Sequence, residues 1–522
     1  MSVPPSFPIT PLLPEICAAL AAQPRLVLEA PPGAGKTTQV PLALLDAPWL
    51  AGRRIVMLEP RRLAARAAAQ FMAAQLGEPV GQTVGYRIRF ESRVSDATRV
   101  EVVTEGILTR RIQADPELAG IGAIIFDEFH ERHLAGDLGV ALALDVQATL
   151  RPDLRLLLMS ATLDGERIAA WFDAPRLASP GRSFPVRIEH PPQRAQESAE
   201  QHLARTVRQA LKETDGDVLV FLPGRREIAR AQALLNESLS RREREESLDI
   251  LPLHGELSLT EQQHALAPAE PGTRRIVLAT NVAESSITLP CIRAVIDSGL
   301  ASEPRFDPNS GFTRLETVTI SQASADQRAG RAGRVAQRVA YRLWPQSRRL
   351  ERSRGAEIAQ AELSGLALEL AAWGITAADG GLAWLDPPPP GALAQGRELL
   401  QALDALDRDA RITALGRRML ELGTSPRLAA AALRAPHEQR AVVADLLALL
   451  EARSPLRGAQ ARNDDLRVRL AALHAWRDRR GGAPRGDVDT GALAAIEQAS
   501  KGWRRRLDVR TAATGVPDSH AV

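Results

Sequence analysis

Ala30-Pro-Pro-Gly-Ala-Gly-Lys-Thr-Thr38 is the stretch that decides the fold. Residues 30–37 fit a phosphate loop, with Ala30 in place of the first glycine. Gly33 and Gly35, on either side of Ala34, let the backbone curl so that successive N–H groups face a β-phosphate at a helix N-terminus. Lys36 supplies a point charge to the β- and γ-phosphates, and the Thr37 hydroxyl is placed for Mg²⁺, with Thr38 beside it. Such a loop must follow a strand and open a helix, and Arg25–Glu29 in front of it reads as a strand.

Outward from the loop, short aliphatic runs alternate with helical stretches. Arg54–Glu59, Thr98–Val103, Ala123–Phe126 and Leu154–Met159 read as buried strands, and Leu63–Leu76 and Leu138–Leu150 as helices between some of them. That rhythm predicts a parallel sheet covered on both faces. It returns after residue 181, with strands at Asp217–Leu222, Ile250–Pro252, Arg275–Thr280 and Ala294–Asp297. The fold class is therefore α/β: two tandem parallel-sheet domains, 1–180 and 181–346, with a cleft between them. Residues 305–320 combine turn chemistry with alternation and predict a β-hairpin projecting from the second sheet. Beyond Trp344 the strand signals fade. Helices at Ala356–Trp373 and Ala392–Leu406, then a small hairpin over 406–413, follow the order of a winged-helix module at 347–415. Residues 416–522 read as a helical domain, Gly-rich near 482, with a disordered tail past Arg510.

Two further motifs carry chemistry. Ile124-Ile-Phe-Asp-Glu128 is a strand ending in two acids: Asp127 to hold Mg²⁺ through water, Glu128 to orient and deprotonate an attacking water. His130 either couples this site to the second domain or caps the loop. Asp326-Gln-Arg-Ala-Gly-Arg-Ala-Gly-Arg334 opens a helix on which Arg331 and Arg334 share a face. Reaching from the second domain, with Gln327, they would neutralise charge on a γ-phosphoryl group only when the cleft closes. Ser160-Ala-Thr162 ends the last strong strand, and Ser160 and Thr162 read as a relay from γ-phosphate to domain interface. Pro60-Arg-Arg62, Thr104-Glu-Gly-Ile107, Leu253-His-Gly255 and Thr280-Asn281 all follow strands, so they lie on one rim. Their groups suit phosphate and sugar contacts without base reading.

The bulk numbers fit such a protein. Charged residues make 25% of the chain, net charge is +3, and the isoelectric point is about 9.2. Lysine occurs only at 36, 212 and 501 in an arginine-rich chain, so a lysine at 36 marks a place where arginine would not serve. Two cysteines, Cys17 and Cys291, offer neither a metal site nor a disulfide framework. With no signal-peptide pattern at Met1–Ser6 and no run able to span a bilayer, the expectation is a soluble cytoplasmic protein with no membrane partner. Nothing demands more than a monomer.

The motif series resembles superfamily 2 helicases of the DEAH/RHA group. It comprises 30–38, Glu59–Ala65, 103–108, 127–130, 160–162, Val220–Gly224, Ala279–Thr288 and 327–334. The acidic motif reads Asp-Glu-Phe-His, with Phe129 for alanine, and with Val84–Phe90 it is most similar to a bacterial branch of that group. The resemblance, over roughly residues 20–480, implies two RecA-like domains with ATP and Mg²⁺ between them. It also implies a winged-helix module and an α-helical, ratchet-like domain closing over a single strand. By matching position Arg61, Arg62, Thr104 and Thr280 would touch the nucleic-acid backbone, and the hairpin would act where strands separate. Leu266 stands where the group often has an aromatic that packs on adenine. Group members usually carry an OB-fold beyond the helical domain, and residues 492–522 are too few for one, so the expectation is a C-terminally short form, either natural or truncated.

The expected function is an ATP-dependent helicase or translocase on single-stranded nucleic acid, RNA before DNA. A remodeller or clamp that never separates strands, or a non-catalytic RNA-binding scaffold, are the alternatives. A metabolic phosphate-loop kinase would leave the second sheet and the late arginine motif without a role.

Overall fold

The computed structural model describes residues 7–88, 91–161, 165–179, 186–238, 248–257, 259–270, 272–284, 289, 291–307, 312–332, 338–376, 381–458, 460, 463, 465–478 and 488–509. The chain divides into two units, Met1–Ala361 with Leu382–Pro387, and Glu362–Gly381 with Pro388–Val522.

The first unit holds both sheets. Strands β1 (Arg25–Glu29), β2 (Arg54–Leu58), β3 (Val84–Ile88), β4 (Glu91–Arg93), β5 (Val100–Val103), β6 (Ile121–Phe126), β7 (Arg155–Ser160) and β8 (Arg176–Ala178) form an eight-stranded sheet in the order β4-β3-β5-β2-β6-β7-β1-β8. Every pairing is parallel except β3 with β4. Helix α1 (Leu13–Ala22) precedes β1, and between strands run α2 (Lys36–Ala43), α3 (Arg62–Gln75), α4 (Glu105–Ala114), α5 (Leu134–Thr149) and α6 (Gly165–Phe172). Strand β6 is buried at every residue, as a central parallel strand covered on both faces must be.

The second sheet is six-stranded. It contains β9 (Val186–Glu189), β10 (Asp217–Phe221), β11 (Leu248–Leu253), β12 (Arg274–Ala279), β13 (Ile292–Asp297) and, after the hairpin, β16 (Arg338–Arg342). All its pairings are parallel, in the order β11-β12-β10-β13-β16-β9. Alternate residues feed two cores. Val218, Val220, Ile276 and Ile296 enter one, and Leu219, Phe221, Val277 and Val295 the other. Helices α7 (Ala199–Glu213), α8 (Arg225–Ser238), α9 (Leu259–Leu266) and α10 (Gln322–Gly330) accompany it. Leu266 is half-buried and packs against the second of these cores. The hairpin is longer than expected and forms a two-stranded sheet of its own, β14 (Leu300–Asp307) with β15 (Phe312–Thr319). Its turn, like Phe90, Ser285–Thr288, the Gly-rich stretch near 482 and the tail past Arg510, lies outside the described residues.

The expected single helix over Ala356–Trp373 is instead a 3-10 turn, Glu357–Ala359, and a separate helix, α11 (Ser364–Ala372). The Glu362 carboxylate accepts from the Ser364 N–H at 2.9 Å and from its hydroxyl at 2.7 Å. These local bonds replace helical ones and let the chain turn where the two units divide.

The second unit continues with α12 (Pro390–Ala402), α13 (Ala414–Leu422), α14 (Pro426–Arg434), α15 (Arg440–Glu451), α16 (Leu466–Asp478) and α17 (Thr490–Arg506). The α12 helix stops earlier than expected because Asp404 takes a left-handed φ of +55°. An antiparallel bridge, Leu406 to Ile412, stands where a small hairpin was expected. The Asp445 carboxylate on α15 is fully buried. It accepts two hydrogen bonds of 2.6 Å from Arg477 on α16, and one of 2.5 Å from the Ser500 hydroxyl on α17. Both cysteines are free: Cys17 is half-buried and Cys291 exposed. No helix among the described residues is long and apolar enough to cross a membrane.

Candidate functional site

The phosphate loop takes the shape its glycines allow. Gly33 and Gly35 sit at φ +83° and +96°, and Gly35 caps α2, whose first residue is Lys36. A Cβ at Gly35 would also stand 2.9 Å from the Phe7 side chain, so space and dihedral both select glycine. Ala34 is buried, and its carbonyl accepts from Ile9 N–H at 3.0 Å. The Thr38 N–H donates to the Gly35 carbonyl at 3.2 Å.

Strand β6 delivers the acids to this loop. Lys36 Nζ donates to Glu128 Oε1 at 3.0 Å, with side chains only 4% and 2% exposed. The Thr37 hydroxyl donates to Asp127 Oδ2 at 2.5 Å, and the Glu128 N–H to Asp127 Oδ1 at 2.8 Å. Burial pushes the Asp127 carboxyl up to about 6, against the pull of Lys36. Burial acts the same way on Glu128, but the Lys36 ammonium outweighs it and holds that carboxyl below its ordinary value. Glu128 Oε2 is buried and makes no hydrogen bond among the described residues. Two hard oxygen ligands at a phosphate loop suit Mg²⁺, which keeps several waters and needs few protein ligands. The orphaned Glu128 oxygen suits a water poised for attack.

His130 joins the two sheets. Its Nδ1 accepts from the Ala161 N–H at 3.2 Å and lies 3.5 Å from Glu128 Oε2. Its Nε2 lies 2.7 Å from the side-chain nitrogen, Nε2, of Gln327 on α10. Burial lowers the pKa of the ring, against the pull of Glu128 and Glu131. Ser160 is buried at the end of β7, and its carbonyl accepts from Ala30 N–H at 3.0 Å.

The arginines divide. Arg328 is wholly buried, donating to Glu284 at 2.9 Å and Asp297 at 2.8 Å, with its guanidinium 4.8 Å from the Phe221 ring centroid. It holds the second domain together. Arg331 is buried and donates to the Glu284 carbonyl, with Nε at 2.9 Å. Arg334 and Thr162 lie outside the described residues.

On the rim, Arg62 is exposed at the start of α3, while Thr104 and Thr280 are half-buried ahead of α4 and of the turn Asn281–Ala283. Arg61 departs from that exposure. It donates to both Glu131 oxygens, at 3.1 and 3.0 Å, and to the Asn281 carbonyl of the second domain at 2.6 Å. It lines a cavity of about 660 Å³ with His130, Glu284 and Gln327. Sequence reasoning passed over Glu131-Arg132-His133, Glu357 and Asp386, which bond to one another beside this cavity. The run of charges directly after the acidic motif was the available signal.

Known families match three stretches: DEAD/DEAH box helicase over residues 12–170, helicase conserved C-terminal domain over 200–336, and the winged-helix helicase associated domain (HA2) over 397–423. The chain is 45% identical over 478 residues to the ATP-dependent RNA helicase HrpB of Escherichia coli (strain K12), a match covering 91% of this chain and 58% of that protein. The crystal structure of Escherichia coli DEAH/RHA helicase HrpB superposes with a TM-score of 0.85 at 42% identity, over 98% of this chain and 61% of that one. The crystal structure of E. coli DExH-box NTPase HrpB gives 0.81 at 42% identity, over 100% and 61%. The chain thus spans less than two thirds of the length of these relatives.

Proposed function

We propose, on the premise that this chain belongs to the HrpB-like branch of the DEAH/RHA helicases, that it is an ATP-hydrolysing motor acting on single-stranded nucleic acid, RNA in preference to DNA. One observation carries the reading. The Lys36–Glu128 and Thr37–Asp127 pairs of one sheet domain are joined, through His130, to Gln327 of the other.

The chemistry follows from the pairing. ATP brings phosphate oxygens to the loop, and Lys36 turns to them. Glu128 then loses its counter-ion inside a buried site, and its affinity for a proton rises as it must take one from water. Thr37 and Asp127 would hold Mg²⁺, which when bound neutralises phosphate charge. Gln327 helps orient the water, while Arg331 and Arg334 face the γ-phosphoryl group once the domains close. His130, Ser160 and Thr162 link that closure to the hydrolytic pair. Arg62, Thr104 and Thr280 hold the strand by its backbone. Arg61 joins them after leaving Glu131 and Asn281, so its release accompanies strand binding.

The test is ATP turnover by the purified protein alone, with single-stranded RNA, and with single-stranded DNA. Glu128→Gln is the blank, expected to bind ATP and lose at least ~100-fold in turnover. Stimulation by RNA supports the motor; turnover indifferent to both strands withdraws it. Displacement of a strand from a tailed duplex separates a helicase from a remodeller.

A further inference from the structure

Behind the acidic pair the chain makes one tight turn between two non-glycine residues in the left-handed region. Glu128 and Arg132, both at φ +52°, bracket the 3-10 turn Phe129–Glu131. Such conformations are disfavoured for residues with a Cβ, and two so close persist only where the surroundings hold them.

Arg132 is held from every side. Its carbonyl accepts from the Glu357 N–H at 3.0 Å. Its Nε and one terminal nitrogen donate to Asp137 at 3.1 and 2.9 Å, and the other terminal nitrogen donates to Asp386 at 2.6 Å. Its guanidinium lies 5.6 Å from the Phe129 ring centroid, and that ring stacks on Trp171 at 6.2 Å. Next in the chain, His133 bonds to Glu131 at 2.8 Å, and Glu357 accepts from the Leu134 N–H at 2.9 Å.

The partners come from far along the chain. Glu357 lies beyond the second sheet. Asp386 belongs to Leu382–Pro387, which packs with the first unit although Gly381 and Pro388 on either side belong to the second. Arg167 on α6 holds the other Asp386 oxygen at 2.5 Å. Four prolines, 387–390, follow directly and make the segment stiff. A stiff segment of this kind would pass a displacement on to its end rather than absorb it.

We propose that Arg132 is a positioning residue for hydrolysis: through the turn Phe129–Glu131 it sets Glu128 and His130 according to where Asp386 and Glu357 stand. The proposal rests on the ATP-hydrolysing reading above. It makes the two segments beyond the second sheet part of the control of the acidic pair.

Asp386→Ala is the informative variant, because Asp137 still pairs Arg132 and no buried charge is stranded. Its kcat should fall about tenfold, the worth of one charge-assisted hydrogen bond. KM for ATP and the Kd of a fluorescent ATP analogue should hold, and Asp386→Glu should restore turnover. Hydrogen exchange at the amides of Arg132–Leu134 should quicken in Asp386→Ala. Unchanged kcat with unchanged exchange overturns the proposal. So does a loss that travels with weaker nucleotide binding, or one that Asp386→Glu does not repair. If the wild-type protein does not hydrolyse ATP, the functional reading fails by itself, and the exchange rates still decide whether Asp386 holds the turn.

Discussion

Lys36 is one of three lysines in a chain that otherwise uses arginine, and its geometry explains the exception. Its head sits 3.0 Å from Glu128 in a pocket where both side chains are almost wholly buried. A compact ammonium can leave that partner for a phosphate within one short arc, whereas a planar guanidinium would be wedged between them. Lys36→Ala should weaken ATP-analogue binding roughly 100-fold in a fluorescence titration, the worth of strong charge-assisted contacts. Unchanged binding would overturn the phosphate-loop reading. The residue scale was also where the sequence spoke most plainly. Gly33, Gly35, Lys36, Thr37, Asp127 and Glu128 are named by a local pattern, and the fold brings them together. Arg61 shows the limit. Its motif marks it for a strand, but its bonds to Glu131 and Asn281 depend on partners 70 and 220 residues away.

At the scale of elements, strand β1 was legible to the residue, since a buried apolar run between Arg25 and Glu29 leaves no other choice. Edge strands such as β8 and β9, three and four residues long and half exposed, carry no such run. The break before α11 was hidden because Glu362 caps Ser364 inside an otherwise helical pattern. The turn after the acidic motif has its own electrostatics. Burial opposes the charge on His133, but hydrogen bonds to Glu131 and Glu357 outweigh it, with Glu105 near, and push its pKa up to about 10. Burial raises Glu105 to about 7, against His133. Both groups hold protons in the folded state that the unfolded chain releases. The His133 contribution is therefore complete below about pH 6.5 and fades as pH rises through about 10. That of Glu105 fades earlier, from about pH 4.5 through about 7. The melting temperature should fall between pH 7 and pH 10, and His133→Asn should flatten that slope. A variant that keeps the slope would move its cause elsewhere.

At the scale of the molecule, two compact units predict two melting events. Asp445 allows one to be moved alone. Asp445→Ala removes two charge-assisted hydrogen bonds from the Arg477 guanidinium, which keeps Glu497 at 2.5 Å, and should cost the second unit about 3 kcal/mol. In calorimetry the transition that shifts down should be the one that added ATP analogue does not stabilise. Both transitions moving together would mean that the units unfold as one. This division was only half visible in sequence: the shift from strands to helices marks a second unit, but nothing local shows Leu382–Pro387 returning to the first.

The two thiols, finally, differ in a way that serves measurement. Cys17 is half-buried, its sulfur 3.6 Å from the Ala43 carbonyl, and burial raises its pKa, so it is slow to alkylate. Cys291 is exposed at the entry to β13. A maleimide dye added briefly to the native chain should mark the second sheet domain almost alone. Paired with a fluorescent nucleotide in the phosphate loop, that dye would report the opening and closing of the cleft by energy transfer, with no engineered cysteine.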